Sequence, residues 1–133
     1  MPDRKKEEPA LDGAQALQVS MAAAGGTSVT IQVSNPTGAA IRFCRYHTPF
    51  EGVRNDIFRV SQGGRELGYQ GMMAKRRPPG PADYLLVEPG ASMEATVDLV
   101  PSWSLKKGTW TVQYRGTGIS GLQDSSPLEL VVK

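Results

Sequence analysis

Residues 28 to 34 read S-V-T-I-Q-V-S. Val29, Ile31 and Val33 fall on one side of a period-two repeat, and Ser28, Thr30, Gln32 and Ser34 fall on the other. Only an extended backbone sends alternate side chains to opposite faces, so this stretch reads as a half-buried strand. Its β-branched residues suit a pleated surface. The same alternation recurs along the chain. It places Leu17, Val19 and Met21 together within 16–23, and Ile41, Phe43 and Arg45 opposite Arg42, Cys44 and Tyr46 within 39–47. Met93, Ala95, Val97 and Leu99 oppose Glu94, Thr96 and Asp98, while Trp110, Val112 and Tyr114 oppose Thr111, Gln113 and Arg115. Shorter runs at 57–61, 65–71, 84–90 and 128–133 complete the set.

No window of eleven or more residues carries apolar positions at helical spacing, so long helices are not expected. Fifteen glycines and ten prolines punctuate the chain. Turns fall at A-G-G (24–26), N-P-T-G (35–38), Q-G-G (62–64) and Pro89-Gly90. Short alternating segments at regular intervals predict an all-β fold, an immunoglobulin-like antiparallel β-sandwich of about seven to nine strands. Residues 1–14 mix opposite charges with Pro and Gly and are expected to form a disordered tail; 15–133 is expected to be a single sandwich domain. "SWSLKKG" and "GTGISG" read as loops, the latter as a flexible connection.

Charge is unevenly placed. The formal net charge is +2, yet eight basic residues face three acidic ones between Arg42 and Arg77. The rest of the chain is mildly acidic. Such a balance gives no bulk electrostatic case for nucleic acid, and no exposed aromatics interleave the basic segment. No apolar run is long enough to span a bilayer. The first thirteen residues lack the apolar core of a secretory signal, so the chain as written reads as cytoplasmic, or as periplasmic or secreted if a signal was removed.

Cys44 and His47, the one cysteine and the one histidine, stand three residues apart in "CRYHTPFEG". Nucleophile-and-base chemistry needs the two side chains within hydrogen-bond reach. On a regular strand, residues three apart point to opposite faces, so the expected arrangement is a packed cysteine and a surface histidine. A zinc site needs several converging ligands, and H-E-x-x-H is absent. A single cysteine forms no internal disulfide. The chain is therefore expected to have no cofactor, no metal of its own and no catalytic residues. The segment "AKRRPPGP" could serve as a phosphate contact, a ligand for SH3-type domains or a dibasic cleavage site, against a default reading as a solvated charged loop.

One ordered series of segments carries a resemblance. "NPTGAAIRFCRYHTPFEG", "DIFRV", "GYQGMMAKRRPPGPADYLLVEPG", "ATVDLV" and "GTWTVQYRG" follow one another from Asn35 to Gly116. Within them stand the Asn35-Pro36 turn, Thr48-Pro49-x-Glu51-Gly52, Tyr69-x-Gly71 followed by Lys75-Arg76, Asp83-Tyr84, Pro89-Gly90 and Val97-Asp98-Leu99. In order and spacing these resemble the propeptide domain of the deuterolysin (aspzincin) zinc metalloendopeptidases. The catalytic half of that family, with its H-E-x-x-H helix and distal aspartate, has no counterpart here. The resemblance thus implies a stand-alone prodomain-like module that binds such a protease as inhibitor or folding chaperone. The alternative is a structural or adhesion Ig-like accessory domain without a protease partner. The resemblance also directs attention to two loops as partner-binding candidates. These are His47, Thr48, Pro49, Phe50 and Glu51, and then Tyr69, Met72, Met73, Lys75, Arg76 and Arg77. His47 or Glu51 could cap a partner's zinc.

Overall fold

The computed structural model describes residues 12–133. The tail expected over 1–14 falls largely outside these residues. Its last three lie in a 3-10 turn, Asp12–Ala16, and Ala14 is buried in the core.

Nine strands follow. They are β1 (Gln18–Ala23), β2 (Ser28–Ser34), β3 (Ile41–Cys44), β4 (Phe58–Gln62), β5 (Arg65–Leu67), β6 (Tyr84–Val87), β7 (Ser92–Asp98), β8 (Gly108–Tyr114) and β9 (Leu128–Val132). They form three antiparallel sheets in the orders β1-β2-β7, β3-β6 and β5-β4-β8-β9. The chain is all-β, as the alternation predicts.

The apolar faces read from the sequence are those that point inward. Val29, Ile31 and Val33 of β2 are fully buried, as are Val112 and Tyr114 of β8, with Trp110 nearly so. They join Phe43, Phe58, Val60, Val87 and Leu130 in one contiguous core drawn from all three sheets. Each large apolar side chain removed from water contributes roughly 1.5–3 kcal/mol. The largest fully buried side chain, Trp103, lies in the stretch read as a loop. Phe58 meets it edge-on at 5.7 Å between centroids, and Tyr69 tilts against it at 5.0 Å. A loop that carries such a residue is a lid on the core, which the period-two pattern alone does not reveal.

Two further departures concern the site. The third strand does not run through His47. It stops at Cys44, and Arg45–Thr48 form a tight turn in which the Thr48 amide and hydroxyl both donate to the Arg45 carbonyl (3.2 and 2.7 Å). His47 has φ +62°, a left-handed conformation that no strand can continue through. The "GTGISG" segment is likewise no free connection. The Cys44 amide donates to the Ser120 carbonyl (3.3 Å), the Gly116 amide donates to Asp124 (2.8 Å), and Ser120 is buried. A Cβ at Gly116 would sit 1.9 Å from the Leu122 carbonyl oxygen, so only glycine fits that close approach.

Candidate functional site

The turn after β3 gathers the chemistry of the molecule around Tyr46. Glu51 lies four residues beyond the left-handed His47, and its carboxylate folds back to accept the His47 amide (3.0 Å). From 25 residues further on, Arg76 reaches in and donates through Nη2 to the other oxygen of the same carboxylate. Arg45 Nη1 stands 3.9 Å away. The Glu51 side chain is 1% exposed, and these partners are what make a buried carboxylate tolerable there.

Asp83 forms a second node. It accepts the Gly80 amide (2.9 Å), Arg45 through Nη2 and Nε (2.8 and 3.2 Å), and the Tyr46 hydroxyl (3.1 Å). The Gly80 hydrogen bond, aided by Arg45 and Tyr46, holds its carboxyl below the ordinary aspartate value. Burial, together with donation to Asp83, pushes the Tyr46 phenol up. The Arg76 and Arg45 guanidinium carbons stand 4.6 and 5.6 Å from the Tyr46 ring centroid, within cation–π range. Tyr46 is thus fixed by an anion at its hydroxyl and cations at its ring.

Behind the turn, the buried Tyr114 hydroxyl donates to the His47 carbonyl (2.7 Å), and the His47 ring Nδ1 pairs with Thr117 Oγ1 (3.1 Å). These two contacts tie the turn to β8 and to the segment after it. Cys44 is buried, and burial pushes its thiol above the ordinary value, the opposite of an activated nucleophile. The turn does break the strand between Cys44 and His47, but no hydrogen bond joins them. Among the described residues no three His, Cys, Asp or Glu side chains cluster as metal ligands.

In front of the turn lies an open groove of about 360 Å³, lined by Tyr46, His47, Ala74, Arg76, Arg77, Pro78, Pro79 and Ile119. Its size falls in the usual range for binding clefts. Its polar lining is basic or neutral, without a carboxylate. Ile119, 50% exposed, forms one lip. Arg76 Nε is buried beneath the groove without a hydrogen-bond partner.

The structure divides the eleven candidate residues. Glu51, Thr48 and Pro49 are buried, and Phe50 is half-buried, edge-on to Phe43 at 5.4 Å between centroids. They hold the turn and do not form an outer rim; in particular, Glu51 turns inward to Arg76, so it does not offer its carboxylate as an outward ligand. His47 and Arg76 line the groove with Arg77. Tyr69 packs on Trp103 and donates its hydroxyl to the Met72 carbonyl, which leaves Met72 and Met73 exposed at 55% and 65%. Lys75 and Arg77 are exposed. Arg45, Tyr46, Asp83 and Ile119 also belong to the site but are not among the partner-binding candidates, and Ala74, Pro78 and Pro79 enter the sequence reading only within the segment "AKRRPPGP". Ile119 carries a signal that could have found it, being a lone large apolar residue within a Gly-rich turn.

No protein-family model matches the chain, and no curated protein is significantly similar to it.

Proposed function

We propose that this chain is a non-catalytic protein-binding module with an immunoglobulin-like topology. Its docking surface is the groove beside Tyr46 with the flanking segment Met72–Pro79. Its partner is a zinc metalloendopeptidase of the deuterolysin type, bound as an inhibitor or folding chaperone. The groove carries the reading. It is open and walled by Pro78, Pro79 and Ile119, with guanidinium groups supplied by Arg76 and Arg77 and no carboxylate in its lining. Exposed Met72 and Met73 extend it with adaptable apolar surface. A surface of this kind suits an acidic rim on another protein, and a cleft that prefers Lys at its cleavage site offers one. The strand orders β1-β2-β7 and β5-β4-β8-β9 are compatible with the topology invoked.

The test is an inhibition titration against a deuterolysin-type protease at increasing salt. Inhibition should weaken as salt rises, because charge steers the encounter. The double variant Lys75→Glu, Arg77→Glu should raise the inhibition constant about tenfold at low salt and much less near ~1 M. A flat titration at every salt concentration would sink the protease reading and leave the accessory-domain alternative.

A further inference from the structure

Among the described residues, the sheet β1-β2-β7 ends on a strand with one edge unpaired. In β2 and β7 the residues pair one to one, from Ser28 with Asp98 to Ser34 with Ser92. At one end of this ladder the Leu99 amide donates to the Thr27 carbonyl (3.0 Å), and at the other the Asn35 amide donates to the Ala91 carbonyl (2.9 Å). Hydrogen-bonded pairs recur every second residue in an antiparallel ladder. Met93, Ala95 and Val97 therefore turn their backbone groups toward Val33, Ile31 and Val29. Across the sheet the Ala24 amide donates to the Ser28 carbonyl (3.0 Å), which assigns the even residues of β2 to β1 and agrees with this phase.

The consequence falls on the far side of β7. The N–H and C=O groups of Ser92, Glu94, Thr96 and Asp98 point away from β2. Among the described residues no further strand pairs with them, and no backbone hydrogen bond from another segment reaches them. The edge is seven residues long and carries no proline, no basic side chain and no bulge, which are common devices that blunt an exposed edge. Met93, Ala95 and Val97 are only half-buried, so the apolar stripe of this sheet continues to the rim. The only charges are acidic, Glu94 and Asp98, both exposed on the solvent face.

We propose that the open edge of β7 is a strand-addition site. It takes an extended antiparallel segment of a partner protein with basic residues at alternate positions and apolar residues between them. The backbone supplies the hydrogen bonds, and the side chains set the choice of partner. Basic residues opposite Glu94 and Asp98 form cross-strand ion pairs, while apolar residues opposite Met93, Ala95 and Val97 extend the stripe. A second copy of this chain fits less well. Pairing two β7 strands about Ala95 would gather four carboxylates on one face with no cation among them. The site shares no residue with the groove at Tyr46 and does not depend on the protease reading.

The probe is an end-capped peptide, Lys-Val-Thr-Val-Lys-Val-Thr, followed by amide chemical shifts of the full chain. In the expected register its first, third, fifth and seventh residues face Asp98, Thr96, Glu94 and Ser92. N-methylation of the third and fifth residues should abolish binding, whereas N-methylation of the second, fourth and sixth, whose N–H groups point outward, should leave it within about twofold. The variant Glu94→Pro should keep the wild-type circular dichroism spectrum, since that N–H bonds to nothing in β2, yet lose the peptide. The variant Glu94→Lys, Asp98→Lys should bind at least about tenfold more weakly. Equal binding of the two methylated peptides, equal binding of a Glu-for-Lys peptide, or no binding at millimolar peptide would each overturn the proposal. Self-association of the protein that disappears in Glu94→Pro would assign the edge to a second copy and overturn it too.

Discussion

Arg76 closes the turn after β3 by donating to Glu51, a carboxylate only 1% exposed and 25 residues earlier in the chain. This pair joins the basic segment to the core, so both partners should matter more for stability than their charge alone suggests. Glu51→Ala strands a half-buried guanidinium and leaves the His47 amide without its acceptor; a loss of about 2–4 kcal/mol in urea unfolding is expected. Arg76→Ala should cost a similar amount by leaving the buried carboxylate with only the His47 amide and the distant Arg45. The double variant should lose clearly less than the sum, because the stranded charge is removed as well. Simple additivity would refute the coupling.

The turn itself rests on His47 in the left-handed region and on the Tyr114 hydroxyl at its carbonyl. His47→Val should destabilise by about 2 kcal/mol, since a β-branched side chain clashes there. His47→Asn, which tolerates that backbone, should stay within about 1 kcal/mol of wild type. Tyr114→Phe removes a buried donor and should cost about 1–2 kcal/mol. A His47→Val protein as stable as wild type would argue against the left-handed turn.

The strands were legible because burial on one face writes itself into the chain every second residue, as at Val29, Ile31, Val33 and at Trp110, Val112, Tyr114. The site was less legible, for a physical reason. The burial of Glu51 is decided by Arg76, and the position of Tyr46 by Asp83, at separations of 25 and 37 residues that no local pattern encodes. A charge run therefore reads as solvated although one of its members, Arg76, is held against a buried carboxylate. The period-two pattern also runs on in the sequence through Tyr46 and His47, past the point where the backbone reverses. Trp103 is not legible in the sequence, because a single buried residue in an irregular segment has no period.

Asn35 offers a test of the N-P-T-G turn. Its side-chain Nδ2 donates to the Ala39 and Val87 carbonyls (2.8 and 2.9 Å), and its side-chain oxygen accepts from the Thr37 amide and hydroxyl (2.9 and 2.6 Å). The residue is 1% exposed and ties the turn to β6. Asn35→Ala should cost about 2–4 kcal/mol, because Val87 and Thr37 lose partners in places that water reaches poorly. Asn35→Asp should recover only part of this, since the carboxylate can accept from Thr37 but cannot donate to Val87. Thermal unfolding of the two variants ranks them. An Asp variant as stable as wild type would show that the donation to Val87 contributes nothing.

Asp83 should contribute to the acid limb of stability. Its folded-state value lies below the ordinary 3.8, chiefly through the Gly80 amide and then through Arg45 and Tyr46. A depressed carboxyl stabilises the fold fully above its unfolded value, and that stabilisation is lost as pH falls through the folded value. Wild type should therefore be more stable than Asp83→Asn at pH near ~6, with the gap closing steadily below ~4. Arg45→Gln should narrow the same gap by removing one cause of the depression, but not abolish it, because the Gly80 amide remains. Unfolding free energies of the three proteins across this pH range decide the matter. A wild-type-to-Asn gap that stays constant down to pH ~2 would show that Asp83 titrates in the native protein no differently from an unfolded chain.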